Sequence, residues 1–298
     1  MNVCIDSFIA PIWEPSNQTL ICMLSTTDYL DTLRLCLQNG INPLDVVNKP
    51  IRDVLHTAVG SFSHSVFQSV DAEDTVYEMC KSLQQLGNDY APIVESSSSD
   101  GSLVATLGYS DIVNLMFQAA AQFPQLFQER IEMLKNRAQS STSLVVASAS
   151  SSPKPTRRKT DAVPLSNITV PETTPLGDVL NIMYDKELSG VPVVDNLARV
   201  IGIYHKEDLT FLSSAAPDVQ QSAITNALKV PIGEVIKHQL DESSAVAHKL
   251  CTCTVRDSIK EVLDTMMSRR VTRVVCIDDT GRCSSVISIA DIVWYYFD

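Results

Sequence analysis

Along residues 191–209 the apolar and polar positions fall in blocks. Val191-Pro192-Val193-Val194 is an apolar run, Asp195-Asn196-Leu197-Ala198 reads as a turn, and Val200-Ile201-Gly202-Ile203-Tyr204 is a second apolar run. Both runs are short and rich in β-branched residues, which predicts two buried strands of a hairpin and not a helix. A polar corner, His205-Lys206-Glu207-Asp208, then leads into a predicted helix over 209–215.

The same unit occurs three more times. Ile9-Ala10-Pro11-Ile12-Trp13, a turn at 14–17 and a run at 20–24 lead to Ser25-Thr26-Thr27-Asp28. Ala91-Pro92-Ile93-Val94, a Ser/Asp/Gly turn and a run at 103–107 lead to Gly108-Tyr109-Ser110-Asp111. Arg273-Val274-Val275-Cys276-Ile277, a turn at 278–281 and Ser285-Val286-Ile287 lead to Ser288-Ile289-Ala290-Asp291. The corner aspartates are 83 (111 − 28), 97 (208 − 111) and 83 (291 − 208) residues apart. The longer middle interval contains residues 139–160, a Ser- and Pro-rich stretch with no apolar period, which reads as a flexible linker. Equal spacing on either side predicts two similar halves, 1–138 and 161–298, each holding two repeats. The repeats are 1–39 and 51–117 in the first half, and 164–215 and 231–297 in the second.

Repeats 2, 3 and 4 also have a leading part. A strand end and polar turn precede a helix with apolar residues at i, i+3, i+4 spacing: Val76, Met79, Cys80 and Leu83; Val179, Ile182 and Met183; Ile259, Val262, Leu263 and Met266. Such a helix hides one face and the strands are apolar on both, so the expected packing is an α/β (α+β) unit that pairs with a neighbour. The chain begins almost at the first strand of repeat 1, so that repeat is expected to lack its leading helix.

Composition narrows the function. At 298 residues, 45% hydrophobic and 19% charged, the chain can form two ordinary globular cores. A net charge of −12 disfavours nucleic acid as a partner. No apolar run reaches about 18 residues, so no membrane span is expected. The start, MNVCIDSFIAPIW, lacks a basic segment and does not read as a signal peptide. Cysteines 4, 22, 36, 80, 251, 253, 276 and 283 are scattered, several inside apolar runs, and read as small buried hydrophobes in a reducing compartment. The spacing of Cys251 and Cys253 is not that of a zinc pair. Histidines 56, 64, 205, 238 and 248 show no metal spacing, and Trp13 and Trp294 read as packing residues. No nucleophile elbow, phosphate-binding loop or zinc-hydrolase motif is present, so no enzymatic activity, metal or cofactor is expected.

The four repeats resemble cystathionine-β-synthase (CBS) motifs. The residues that carry the resemblance are Ala10-Pro11-Ile12-Trp13 with Met23 to Tyr29, Ser189 to Asp195 with Ile203 to Asp208, and Arg273 to Asp278 with Val286 to Ile292. Two tandem motifs form a Bateman module. A chain made of two such modules is similar to the gamma subunits of AMP-activated, or sucrose-non-fermenting, protein kinase. The resemblance implies four CBS motifs in two Bateman modules. It implies a regulatory subunit that binds AMP, ADP or ATP as regulatory ligand, and kinase alpha and beta subunits as partners in a heterotrimer. It also implies a cytoplasmic location, with the nucleus as a second compartment. The corner aspartates, Asp208 and Asp291 first and then Asp28 and Asp111, become candidates for holding the ribose hydroxyls. A carboxylate accepts hydrogen bonds from two vicinal hydroxyls, and a helix opening nearby favours a phosphate. Ser25, Thr27 and Ser288 are neighbouring candidates, as are Thr173 and Thr174 in the strand-to-helix turn and Arg273 in the first hairpin strand. The best site is expected from repeats 3 and 4, whose leading helices are both present.

Two features weigh against that reading. Ser25-x-x-Asp28 and Ser288-x-x-Asp291 also fit a helix start with serine as N-cap and an acid in the first turn, whereas Gly108 and His205 cannot be serine caps. The basic residues the family places around phosphates are reduced here to Phe8, Asp89-Tyr90 and Thr272-Arg273, with Arg269 and Arg270 close to Arg273 in sequence. Asp111 also stands where the family's second repeat has an arginine. The alternative is a degenerate CBS scaffold that binds a kinase or another partner without sensing nucleotide. The linker cluster Lys154, Arg157, Arg158 and Lys159 reads as solvated charge.

Overall fold

A computed structural model describes residues 10–14, 16, 19–42, 45–46, 49–50, 69–86, 90–95, 102–120, 122–123, 125–142, 167–186, 188–212, 226–242 and 250–297. All four hairpins form. In repeat 1, β1 (Ala10–Glu14) pairs with β2 (Thr19–Leu24), followed by α1 (Thr26–Gln38). Repeat 2 runs β3 (Val70–Asp71), α2 (Val76–Leu86), β4 (Tyr90–Glu95), β5 (Ser102–Gly108) and α3 (Tyr109–Ala120). After α4 (Ile131–Thr142), repeat 3 runs β6 (Val170–Pro171), α5 (Leu176–Asp185), β7 (Gly190–Val194), β8 (Val200–His205) and a 3-10 helix (Lys206–Leu212). After α6 (Ile232–Glu242), repeat 4 runs β9 (Thr252–Cys253), α7 (Ile259–Arg269), β10 (Arg273–Ile277), β11 (Cys283–Ser288) and α8 (Ile289–Phe297).

Repeats 2, 3 and 4 share one topology. A two-residue strand lies parallel to the first hairpin strand, and the hairpin is antiparallel. Parallel neighbours need a crossover, and the amphipathic helix supplies it. The register slips at matching places, Ile93/Val94, Val193/Val194 and Cys276/Ile277. The crossover helices bury Met79, Cys80 and Leu83; Val179 and Met183; and Ile259, Val262, Leu263 and Met266 of the predicted stripes, with Leu176 and Leu180 in addition, while Val76 is exposed and Ile182 half-buried. Helix α7 is capped at both ends. Ser258 accepts from the Glu261 N–H, Glu261 accepts from the Ser258 N–H, and Arg270 closes the far end with φ +55°. Helix α5 follows Pro175 and has no side-chain cap.

The chain divides into two compact units that interleave in sequence. The first draws on Met1–Glu14, Leu20–His64 and Ile168–Leu250, and the second on Pro15–Thr19, Ser65–Asn167 and Cys251–Asp298. Repeats 1 and 3 therefore share one unit and repeats 2 and 4 the other. The expected bodies, 1–138 and 161–298, followed sequence proximity. The compact units follow buried helix faces instead. In the first, Leu30 and Leu33 of α1 pack with Leu176, Val179 and Leu209. In the second, Ile112 and Val113 of α3 pack with Ile292 and Val293 of α8, and Trp294 donates its indole N–H to Tyr109 at 2.8 Å. Trp294 is thus a packing residue as expected, while the side chain of Trp13 lies outside the described residues.

Helices α4 and α6 were not anticipated, and each closes a unit by exchanging helix ends. The first N–H groups of a helix have no partner inside it. In the first unit Ile232 and Gly233 of α6 donate to the carbonyls of Thr174 and Glu172, while Leu176 and Gly177 of α5 donate to those of Val230 and Leu228. In the second unit Ile131 and Glu132 of α4 donate to Asp257 and Val255, while Ile259 and Lys260 of α7 donate to Glu129 and Phe127. The helix that precedes repeat 4 in the chain thus docks on repeat 3, and the helix that precedes repeat 3 docks on repeat 4. Gly233 is needed for this approach, because a Cβ there would lie 2.9 Å from the Glu172 Cβ and 3.1 Å from its carbonyl oxygen.

Two local expectations are corrected. Residues 139–142, assigned to the linker, are the last turn of α4, since backbone propagation continues past the apolar stripe; 143–160 lie outside the described residues. The helix expected at 209–215 is a 3-10 helix that starts earlier, at Lys206. The segment before Ala10, on which the missing helix of repeat 1 was inferred, also lies outside them. No helix among the described residues is long and apolar enough to cross a membrane.

Candidate functional site

All four corner aspartates occupy one geometry. Each carboxylate turns back and accepts from the backbone N–H three residues earlier: Asp28 from Ser25 at 2.7 Å, Asp111 from Gly108 at 2.9 Å, Asp208 from His205 at 2.8 Å, Asp291 from Ser288 at 2.7 Å. The serine hydroxyls of Ser25 and Ser288 add bonds of 2.8 and 2.6 Å to the same oxygens. Capping thus extends to Gly108 and His205, where no serine is present. At those two corners the residue three positions before the carboxylate supplies only its main-chain N–H, while at repeat 4 the Ser288 hydroxyl also accepts from the Asp291 N–H at 3.2 Å. Each of these bonds goes to Oδ2, and a carboxylate has two oxygens with about four acceptor positions in all.

The corner is anchored to the first hairpin strand of its own repeat. In repeat 4 the Ile289 N–H donates to the Thr272 carbonyl at 2.9 Å, and Arg273 is the register partner of Ser288. Asp291, Ser288, Thr272 and Arg273 are therefore neighbours. The Arg273 side chain is buried and donates to the Thr272 hydroxyl at 2.9 Å. In repeat 3 the Lys206 N–H donates to the Ser189 carbonyl, and Gly190 pairs with His205. His205, Lys206 and Asp208 are all buried there. Lys206 is a buried cation at this corner that counting basic residues in the first hairpin strand missed; its signal was a lysine directly after the second strand. Tyr204, also buried, has a hydroxyl without a hydrogen-bond partner. Burial, and then the nearby Asp208 charge, raise its ionisation above the ordinary tyrosine range.

The other candidates are placed less suggestively. Thr173 is exposed and Thr174 half-buried, in the turn whose carbonyls receive α6. Thr27 lies in α1 with its side chain outside the described residues. Arg270 serves as the C-cap of α7, and Arg269 is exposed. Phe8 and Asp89 lie outside the described residues, and Tyr90 opens β4. Asp28 and Asp208 belong to the first unit, Asp111 and Asp291 to the second. Among the described residues no cluster of His, Cys, Asp and Glu could hold a metal ion.

A hairpin with a capped acidic corner, repeated and joined to a short parallel strand by a crossover helix, defines a CBS-type α/β repeat protein. The CBS domain family matches residues 161–214 and 244–298. Along nearly its whole length it resembles gamma subunits of 5'-AMP-activated protein kinase. It is 22% identical to that of Dictyostelium discoideum over 96% of this chain and 45% of the relative. For Kluyveromyces lactis the figures are 22%, 99% and 80%, and for human gamma-3 they are 21%, 95% and 51%. The chain thus spans about half the length of two of these relatives. A Methanocaldococcus jannaschii crystal structure, described as an archaeal homolog of g-AMPK, shares the fold with TM-score 0.69 and 15% identity, over 97% of this chain and 88% of that one.

Proposed function

We propose that this chain is a non-catalytic, gamma-like regulatory subunit of an AMP-activated-type protein kinase, which binds AMP, ADP or ATP at its CBS corners and joins kinase alpha and beta subunits. The observation that carries the reading is the repeat 4 corner. It gathers a carboxylate, Asp291, a hydroxyl, Ser288, and a guanidinium, Arg273, on adjacent backbone. A ribose needs an acceptor for its hydroxyls and a phosphate needs a cation, and these groups supply both. Asp208 with buried Lys206 offers the same pair of charges in repeat 3. Asp28 and Asp111 are secondary candidates, with Ser25, Thr27, Thr173 and Thr174 as neighbouring contacts. The likeness to the gamma subunits supports the kinase partnership, and a cytoplasmic location, with the nucleus as second compartment, is proposed with it.

One observation favours the alternative, a scaffold without nucleotide sensing: every corner aspartate already has a structural role as a cap. Titration calorimetry of the full chain with AMP and ATP decides between them. Saturable binding that is lost in the Asp208→Ala/Asp291→Ala double variant supports the sensor. No binding by the wild type supports the scaffold, and affinity purification with a kinase alpha subunit then tests the partnership alone.

A further inference from the structure

Four of the free cysteines lie in repeat 4, and two of them form a pair. Cys253 on β9 and Cys276 on β10 are register partners on adjacent parallel strands. Strands in a sheet lie about 4.8 Å apart, and residues in register point to the same face. That separation falls within the Cα range of roughly 4.4–6.8 Å at which two cysteines can be bridged. The two thiols act on each other's ionisation, with that of Cys253 raised and that of Cys276 lowered.

The surroundings treat the two sulfurs differently. Lys135 of α4 donates from Nζ to the Ser284 hydroxyl, which lies 4.0 Å from the Cys276 sulfur and donates toward it. The Ser285 hydroxyl is buried without a hydrogen-bond partner, on the residue that faces Cys276 across the antiparallel ladder. Asp257 acts on Cys253 and opposes a charge there. Among the described residues, the titratable groups acting on Cys276 are therefore Lys135 from α4, Cys253 from β9 and Cys283 from β11. The neighbouring Cys253 thiol, the Lys135 charge and the Ser284 hydroxyl lower the Cys276 thiol against its burial, while the Cys253 thiol is raised. Cys276 itself is fully buried, and Lys135, Cys283 and Ser284 beside it are half-buried.

We propose that Cys253 and Cys276 form an oxidation site that peroxide converts to an intrachain disulfide, with Cys276 as the attacking thiolate and Cys253 as the resolving thiol. The Cys276 thiolate attacks one oxygen of hydrogen peroxide. The O–O bond breaks, hydroxide leaves, and Cys276 becomes a sulfenic acid. The Cys253 sulfur then attacks the Cys276 sulfur, the S–O bond breaks, and its thiol proton leaves with the hydroxyl as water. In sum two thiols and one peroxide give one disulfide and two waters, and the peroxide is the oxidant.

The test treats the reduced full chain with hydrogen peroxide, followed by denaturation, alkylation and peptide mass mapping. The expected product has lost two hydrogens and yields a peptide linking Cys253 to Cys276, with Cys80 and Cys251 alkylated. Cys253→Ser should leave Cys276 as an oxygen acid with no internal link. Lys135→Gln, a half-buried site, should move the pH of half-maximal rate upward. A shift of about one unit lowers the rate roughly tenfold below both midpoints. Two alkylated thiols after peroxide treatment, a link through Cys283, or a pH profile unmoved by Lys135→Gln would each overturn the proposal.

Discussion

Replacing Asp291 separates its two roles. Asp291→Ala removes acceptors from the Ser288 N–H, at 2.7 Å, and from the Ser288 hydroxyl, at 2.6 Å. A net hydrogen bond contributes about 0.5–1.5 kcal/mol, and losing an N-terminal cap costs about 0.5–2 kcal/mol. The hydroxyl can turn to water, so the loss should be about 1–2 kcal/mol. For a protein of this size that lowers the thermal midpoint by roughly 2–3 °C. Asp291→Asn keeps one oxygen, which can take the Ser288 N–H, and its stability should stay within about 0.5 kcal/mol of wild type. The second arm of the asparagine is now an N–H donor facing ribose hydroxyls that need an acceptor. Both variants should lose about 1.5–3 kcal/mol of AMP binding, roughly tenfold or more in affinity. Thermal unfolding paired with calorimetry reads both quantities. An Asn variant that binds AMP like the wild type would refute the ribose role. An Ala variant with an unchanged midpoint would refute the capping role.

Three further outcomes follow from the backbone geometry and the surface carboxylates. Gly233→Ala forces a Cβ to within 2.9 Å of Glu172 at the α6 end, and should destabilise by about 1–3 kcal/mol in urea titration despite the better helix propensity of alanine. An unchanged urea midpoint would show that α6 does not dock on the 172–174 turn. Ala198 has φ +62° where the matching turn of repeat 4 has Gly281 at φ +80°. Ala198→Gly should therefore relieve about 1 kcal/mol of strain, partly offset by unfolded-chain entropy, for a net gain of about 0.5 kcal/mol; a loss of stability would contradict this. Backbone and side-chain hydrogen bonds hold Asp195 and Asp278 in the hairpin turns, and Glu78 and Glu261 at helix caps, below their ordinary values of 3.8 and 4.5. A depressed carboxyl stabilises the fold above its unfolded value and loses that contribution as pH falls through the folded one, so stability should drop as pH is lowered below about 4.5. The acid slope should be shallower in Asp195→Asn/Asp278→Asn, and an identical slope would count against the assignment.

Hairpins, crossover helices and the corner aspartates were all legible in the sequence, because each is written locally. Runs such as Val191 to Val194 alternate with turn residues, and Ile259, Val262, Leu263 and Met266 mark one face of one helix. The repeat spacing placed Asp28, Asp111, Asp208 and Asp291 at equivalent corners, and the structure puts each on the same backbone hydrogen bond. That a carboxylate makes the same bond without a serine was hidden, since Gly108 and His205 carry no capping signature, whereas at Ser288 the expected serine cap forms as well, its hydroxyl accepting from the Asp291 N–H at 3.2 Å. The partners of the faces were not written at all. An apolar stripe states that a helix must be covered, not by what, so the pairing of α1 with repeat 3 and of α3 with α8 came only from the tertiary packing. The same holds for α4 and α6. Their first N–H groups needed acceptors, and those acceptors lie in turns about 60 and 125 residues away in sequence, at Thr174 and Asp257, which only the folded chain brings within reach.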